Sequence, residues 1–201
     1  MASFFVDLVS TGGVIMAAEF ADKTNLLALS LMGKSKQPYT VAFGGILGIA
    51  FVTIIGVVVG SIISTFILID YVPIFAGLLF LWIGLVELRS DSKEDAKTKD
   101  LNRNYELDSK FKIIKSSFML IGLAEFGDKS QIFVIGRSLD GDPVAIFLGA
   151  IIGMGIIMFA TAIFGDKLIT KFPEDLIHKI ANYGFVVVGF LLIVLGLIKV
   201  S

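Results

Sequence analysis

The chain is 201 residues long, 56% hydrophobic and 17% charged, with a mean hydropathy of +0.90. That is too apolar for a soluble domain and describes an integral membrane protein. A formal net charge of −1 gives no basic surface for nucleic acid, and the absence of cysteine removes disulfides, thiolate metal ligation and cysteine nucleophiles together.

A spanning helix needs about 20 apolar residues at a rise of about 1.5 Å each, and the sequence offers six such runs. The first is expected over about Phe4 to Met32. Met1-Ala2-Ser3-Phe4-Phe5 lacks a basic n-region, and the run behind it carries Glu19, Asp22 and Lys23, so it reads as a retained span and not a cleaved signal. Thr11-Gly12-Gly13 marks a break or a close packing point within it. The second span, about Tyr39 to Ile69, follows Lys34-Ser35-Lys36-Gln37-Pro38. Its Gly44, Gly45, Gly48, Gly56 and Gly60 let helix backbones approach closely. The third runs from about Pro73 to Leu88. From Arg89 to Lys112 charged residues dominate, as in a solvated loop with no chemistry of its own. The fourth span, about Ile113 to Ser138, and the fifth, about Pro143 to Phe164, flank the turn Asp140-Gly141-Asp142. The sixth runs from about Ile180 to Val200. His178, the only histidine, reads as an interfacial residue.

Two stretches place ionisable side chains in the middle of spans. They are Glu19-Phe20-Ala21-Asp22-Lys23-Thr24 and, 106 positions later, Glu125-Phe126-Gly127-Asp128-Lys129-Ser130. At an offset of 105, Pro38 meets Pro143, Gly44 meets Gly149, Gly48 meets Gly153 and Gly60 meets Gly165; at 112, Gly77 and Gly84 meet Gly189 and Gly196. The chain therefore reads as one unit built twice: a first three-helix repeat over 1–89, a hydrophilic loop over 90–112 and a second repeat over 113–201. Because three is odd, the second unit enters the membrane from the opposite side. The expected fold is an all-α integral membrane protein whose six transmembrane helices form two inverted three-helix repeats, with the substrate site near the midplane between them. Lys34, Lys36, eight basic residues from Arg89 to Lys115, and Lys167, Lys171 and Lys179 fall on one side, against Arg137 and Lys199 on the other. The richer side, with the central loop, is expected to be cytoplasmic and both termini outside.

A charge near the bilayer centre costs from about 2.5 to well over 10 kcal/mol, so a cluster built twice points to function. On a helix Asp22 and Lys23 flank Glu19 on one face, as Asp128 and Lys129 flank Glu125, with Phe20 directed elsewhere. Where the two helices meet, four carboxylates would converge, with Thr24, Ser130, Asn25 and Gln131 as further oxygen donors. Hard oxygen without thiolate or imidazole suits manganese or calcium; magnesium dehydrates reluctantly, and zinc and copper prefer softer ligands. The bland alternative makes Glu19–Lys23 and Glu125–Lys129 helix-locking ion pairs, but buried pairs rarely improve on apolar packing. Phe164-Gly165-Asp166-Lys167 copies part of the motif without its glutamate and reads as a helix end. Glu87, matched by Lys199, reads as a snorkelling charge, and Asp7 and Asp70 as residues near water. Trp82 and the phenylalanines read as packing or lipid-facing.

With these residues in place, the chain resembles the cation/proton exchangers that carry two Glu-x-Gly-Asp-Lys/Arg-Thr/Ser motifs in six helices, a family that includes MneA-type manganese exporters and the Golgi transmembrane protein 165 group. The resemblance covers essentially the whole chain. It implies export of Mn2+, or Ca2+ in some members, in exchange for protons, with Glu19, Asp22, Glu125 and Asp128 as metal ligands and Thr24 and Ser130 as supporting oxygens. Ala21 departs from the pattern, which has glycine there.

Charge counting leads to the same scheme. Four carboxylates with Lys23 and Lys129 leave two negative charges, which one divalent metal or two protons neutralise. The expectation is a secondary-active antiporter, not an enzyme, with no permanently bound cofactor and with metal ion, protons and lipid as its partners. A homo-oligomer is compatible with it. A passive cation channel or a six-helix small-solute exporter is the alternative. The compact chain without a transit peptide suggests a bacterial inner membrane.

Overall fold

The computed structural model describes residues 2–19, 22–66 and 109–165 and parts of 71–85 and 183–198, the side chains of Ala2 and Lys23 excepted. Among the described residues there are helices and turns and no strand. The helices are α1 (Ala2–Glu19), α2 (Lys23–Ser35), α3 (Pro38–Ser64), α4 (Lys110–Glu125), α5 (Lys129–Arg137) and α6 (Pro143–Phe164). Residues 74–78 and the described positions between 183 and 198 are helical too, so the third and sixth expected spans are described in part. The hydrophilic loop up to residue 108, Phe20, Ala21, Asp70, Glu87, Asp166, Lys167, His178 and Lys199 lie outside the described residues.

Two expected spans are not continuous helices. The run from Phe4 to Met32 divides into α1 and α2, bent by 70°, and the run from Ile113 to Ser138 divides into α4 and α5. Both divisions fall inside the acidic motifs, and the one-face arrangement expected on an unbroken helix does not form. The helix boundaries follow from local chemistry. Pro38 and Pro143 open α3 and α6 at the position where a missing N–H costs nothing. Asp142 caps α6 by accepting from the Val144 and Ala145 N–H groups, each at 2.9 Å. Ser109 caps α4 through the Lys112 N–H, and α2 ends on Lys36 in the left-handed region, φ 53°.

With 27 and 22 residues, α3 and α6 are each long and apolar enough to cross a bilayer, and α1 with α2 is a third such span if the bent pair is taken as one. Their faces are inverted relative to a soluble protein. On α3 the small residues Gly44, Gly45, Gly48, Gly56 and Gly60 are buried while Phe43, Phe51, Ile54 and Ile62 are exposed. Lipid is as apolar as these side chains, so the helices are held by close backbone packing.

The closest crossings are made twice. A Cβ on Gly44 would lie 2.7 Å from the Ile114 carbonyl oxygen, and one on Gly149 would lie 2.4 Å from that of Leu8. One on Gly48 would lie 2.4 Å from the Phe118 carbonyl oxygen, and one on Gly153 2.6 Å from that of Gly12. Leu8 and Gly12 precede Ile114 and Phe118 by the 106 positions that separate the motifs. Thus α4 packs on α3 as α1 packs on α6, and Thr11-Gly12-Gly13 is a packing point, not a break. Gly77 and Gly189, matched at the third offset, meet each other backbone to backbone.

Asp7, expected near water, is paired with the part-exposed Arg137. It is buried and accepts from Arg137 and from the Asp142 N–H.

Candidate metal centre

The described residues of the two motifs follow the same plan. Glu19 and Glu125 end α1 and α4, and Asp22 and Asp128 stand just before α2 and α5 with nearly equal backbone angles, φ −75°, ψ 167° and φ −78°, ψ 171°. Each turn is closed by the aspartate N–H donating to the glutamate carbonyl at 3.2 Å. In the second motif Gly127 supplies the reversal at φ +80°, in the region that glycine tolerates best. Glutamates therefore sit at the electronegative ends of two half-helices, where a cation is favoured, and aspartates at the electropositive starts of the next two.

The breaks bring Glu19, Glu125 and Asp128 together, with one carboxylate oxygen from each lying within 4.8 Å of the others. Oxygens gathered that closely can share a single ion, in the range that hard-cation coordination uses. Glu19 and Glu125 are each only 2% exposed. An Oε1 atom on each has no hydrogen-bond partner, a costly state for a buried carboxylate unless an ion or proton serves it. Asp22 stands outside this trio. Its Oδ1 is 2.8 Å from Lys129 Nζ, so an acid of the first motif is paired with the base of the second.

The neighbouring polar side chains hold the breaks and the trio. Ser130 donates to Glu125 Oε2 at 2.7 Å, and Thr24 of the other motif is buried beside Glu125. The amides of Asn25 and Gln131 are engaged with backbone. Asn25 Nδ2 donates to the Glu19 carbonyl, and Gln131 Oε1 accepts from the Gly127 N–H.

Two residues had no sequence signal. Thr161 on α6 donates to Asn25 Oδ1 at 3.4 Å. Thr53 on α3 shares with Glu125, Ser130 and Gln131 a cavity of about 10 Å³, room for about one water. A lone threonine in an apolar span carries no motif.

Buried hard-oxygen donors at two facing helix breaks, inside a bundle whose outer surface is apolar, define a membrane protein that handles cations. The family described as "Divalent cation/proton antiporter GDT1" matches this chain over residues 7–95 and 113–198, and the chain belongs to that family, which is one of transporters. GDT1-like protein 4 of Oryza sativa subsp. indica is 28% identical over 206 residues, covering 94% of this chain and 71% of the relative. GDT1-like protein 3 of Arabidopsis thaliana is 25% identical over 207 residues, covering 94% and 70%. The divalent cation/proton antiporter GDT1 of Saccharomyces cerevisiae is 26% identical over 204 residues, covering 79% and 72%. No solved structure matches the chain. These relatives are plant and yeast proteins, so they give no support to a bacterial inner membrane.

Proposed function

We propose that this chain exports Mn2+, with Ca2+ as the competing substrate, from the cytoplasm in exchange for protons. The observation that carries the reading is the convergence of Glu19, Glu125 and Asp128 at two helix breaks that belong to different halves of the chain. A substrate ion would be held by these three, with Ser130 and Thr24 orienting Glu125. Asp22 and Lys129 would hold the two breaks in register, Asp22 becoming a fourth ligand when the pair opens. The repeated glycine crossings support six spans as two inverted repeats, 1–89 and 113–201, with the 90–112 loop on the cytoplasmic side.

Exchange follows from charge. Counted from the sequence, the four motif acids and the two motif lysines sum to two negative charges, and moving such a set empty through a low-dielectric closed state is expensive. One divalent ion or two protons removes that charge, so the loaded forms cross and the empty one does not. Metal uptake by proteoliposomes, tested against a panel of Mn2+, Ca2+ and Mg2+, checks the reading. Mn2+ transport that Ca2+ inhibits supports it, and indifference to all three would sink it.

A further inference from the structure

Among the described residues, a second group of buried and half-buried charges lies away from the motifs, where α1 begins and α5 ends. Asp7 on α1 accepts from Arg137 through Oδ1, and through Oδ2 from the Asp142 backbone N–H at 2.9 Å. Arg137 also reaches Asp140 Oδ1 at 2.9 Å, and Asp142 caps α6. One carboxylate thus ties the first helix of one half to the α5–α6 turn of the other.

The repeat has no counterpart to this tie. The positions 106 after Asp7 and 106 before Arg137 are Ile113 and Leu31. Both are buried aliphatic side chains of the central apolar cluster, on α4 and α2, which pack on each other. The two ends of the broken helices are therefore closed by different chemistry, ionic at one end and apolar at the other. Separating Leu31 and Ile113 bares apolar surface to any water that enters. Arg137 is 24% exposed and can rehydrate as it leaves Asp7.

We propose that Asp7 and Arg137 are the latch of the mouth opposite the hydrophilic loop, and that this mouth opens by breaking their pair; the proposal rests on the exchanger reading above. Opening a mouth selects a minor conformation, so removing the latch raises the population of the open form.

The chain has no cysteine, which makes the test direct. Thr11 is fully buried one helical turn beyond Asp7 on α1. Thr11→Cys in the full chain, reconstituted in liposomes, is exposed to a membrane-impermeant thiol reagent. Modification is expected to be slow in this parent and about fivefold or more faster with Asp7→Asn or Arg137→Gln added. The double variant should be no faster than the faster single, since both remove one interaction. Unchanged rates in the folded variants, or additive acceleration, would overturn the latch. If Asp7→Asn does not fold, Arg137→Gln carries the test; loss of fold in both would make the pair a structural staple and equally overturn it. Mn2+ flux in the same liposomes separates the two readings. Flux with latch-independent modification sinks the latch alone, whereas latch-dependent modification without flux of any divalent ion sinks the exchanger and leaves a gated mouth.

Discussion

Lys129 of the second motif is paired with Asp22 of the first at 2.8 Å, with side chains only 5% and 7% exposed. The two halves are thus joined through the charges that the motifs share, at the level of the carboxylate trio. Removing one partner leaves a buried charge without its counterion. Lys129→Met or Asp22→Leu alone should destabilise the protein by about 3–5 kcal/mol, and the double variant by much less than the sum. Thermal unfolding in detergent measures this. Additive losses would show that the pair is not a coupled unit.

Glycine packing gives a prediction of contrast. A Cβ at Gly48 would meet the Phe118 carbonyl oxygen at 2.4 Å, whereas one at Gly13 meets nothing within 4 Å. Gly48→Ala should cost about 1–3 kcal/mol through forced backbone separation. Gly13→Ala should be neutral or stabilising by up to about 1 kcal/mol through helix propensity. Melting temperatures of the two variants decide it, and equal shifts would contradict the packing account.

Gly127 holds φ +80° in the turn between Glu125 and Asp128, with nothing within 4 Å of its would-be Cβ. Gly127→Ala should therefore act through backbone strain, about 1–2 kcal/mol, and not through a clash. Displacing Asp128 relative to Glu125, it should lower Mn2+ transport while the protein still folds. Wild-type transport in this variant would show that the second turn tolerates an alanine at the position matched by Ala21.

The all-helical apolar character, the twin motifs and the close glycine crossings were legible in the sequence because each depends on residue type at a spacing. The helix breaks were not. Glu125 to Ser130 contains a single glycine and no proline, and helical periodicity continues on both sides, so nothing in the pattern says that Asp128 starts a new helix. The pairing of Asp22 with Lys129 was hidden for a related reason. A lysine four residues after Glu125 reads as that acid's partner on a continuous helix, and only the break sends it across to the other motif. The pairing of Asp7 was hidden because its partner, Arg137, lies 130 positions away.

Within the motifs, Glu19→Gln, Glu125→Gln, Asp128→Asn and Asp22→Asn should each abolish metal transport, the first three by removing a ligand and the last by releasing Lys129 toward the trio. Asp166→Asn should not. Mn2+ uptake by proteoliposomes made from each purified variant is the assay, and equal damage from Asp166→Asn would mean that the partial motif after α6 belongs to the ion path.

The central claim is exchange of one divalent ion for two protons at a single buried cluster. Simultaneous recording of Mn2+ flux, lumenal pH and membrane current in proteoliposomes tests it most directly. The account predicts proton movement opposite to Mn2+ at about two per ion with little net current. Mn2+ flux without proton movement, or a current that scales with flux and reverses with voltage, would contradict it.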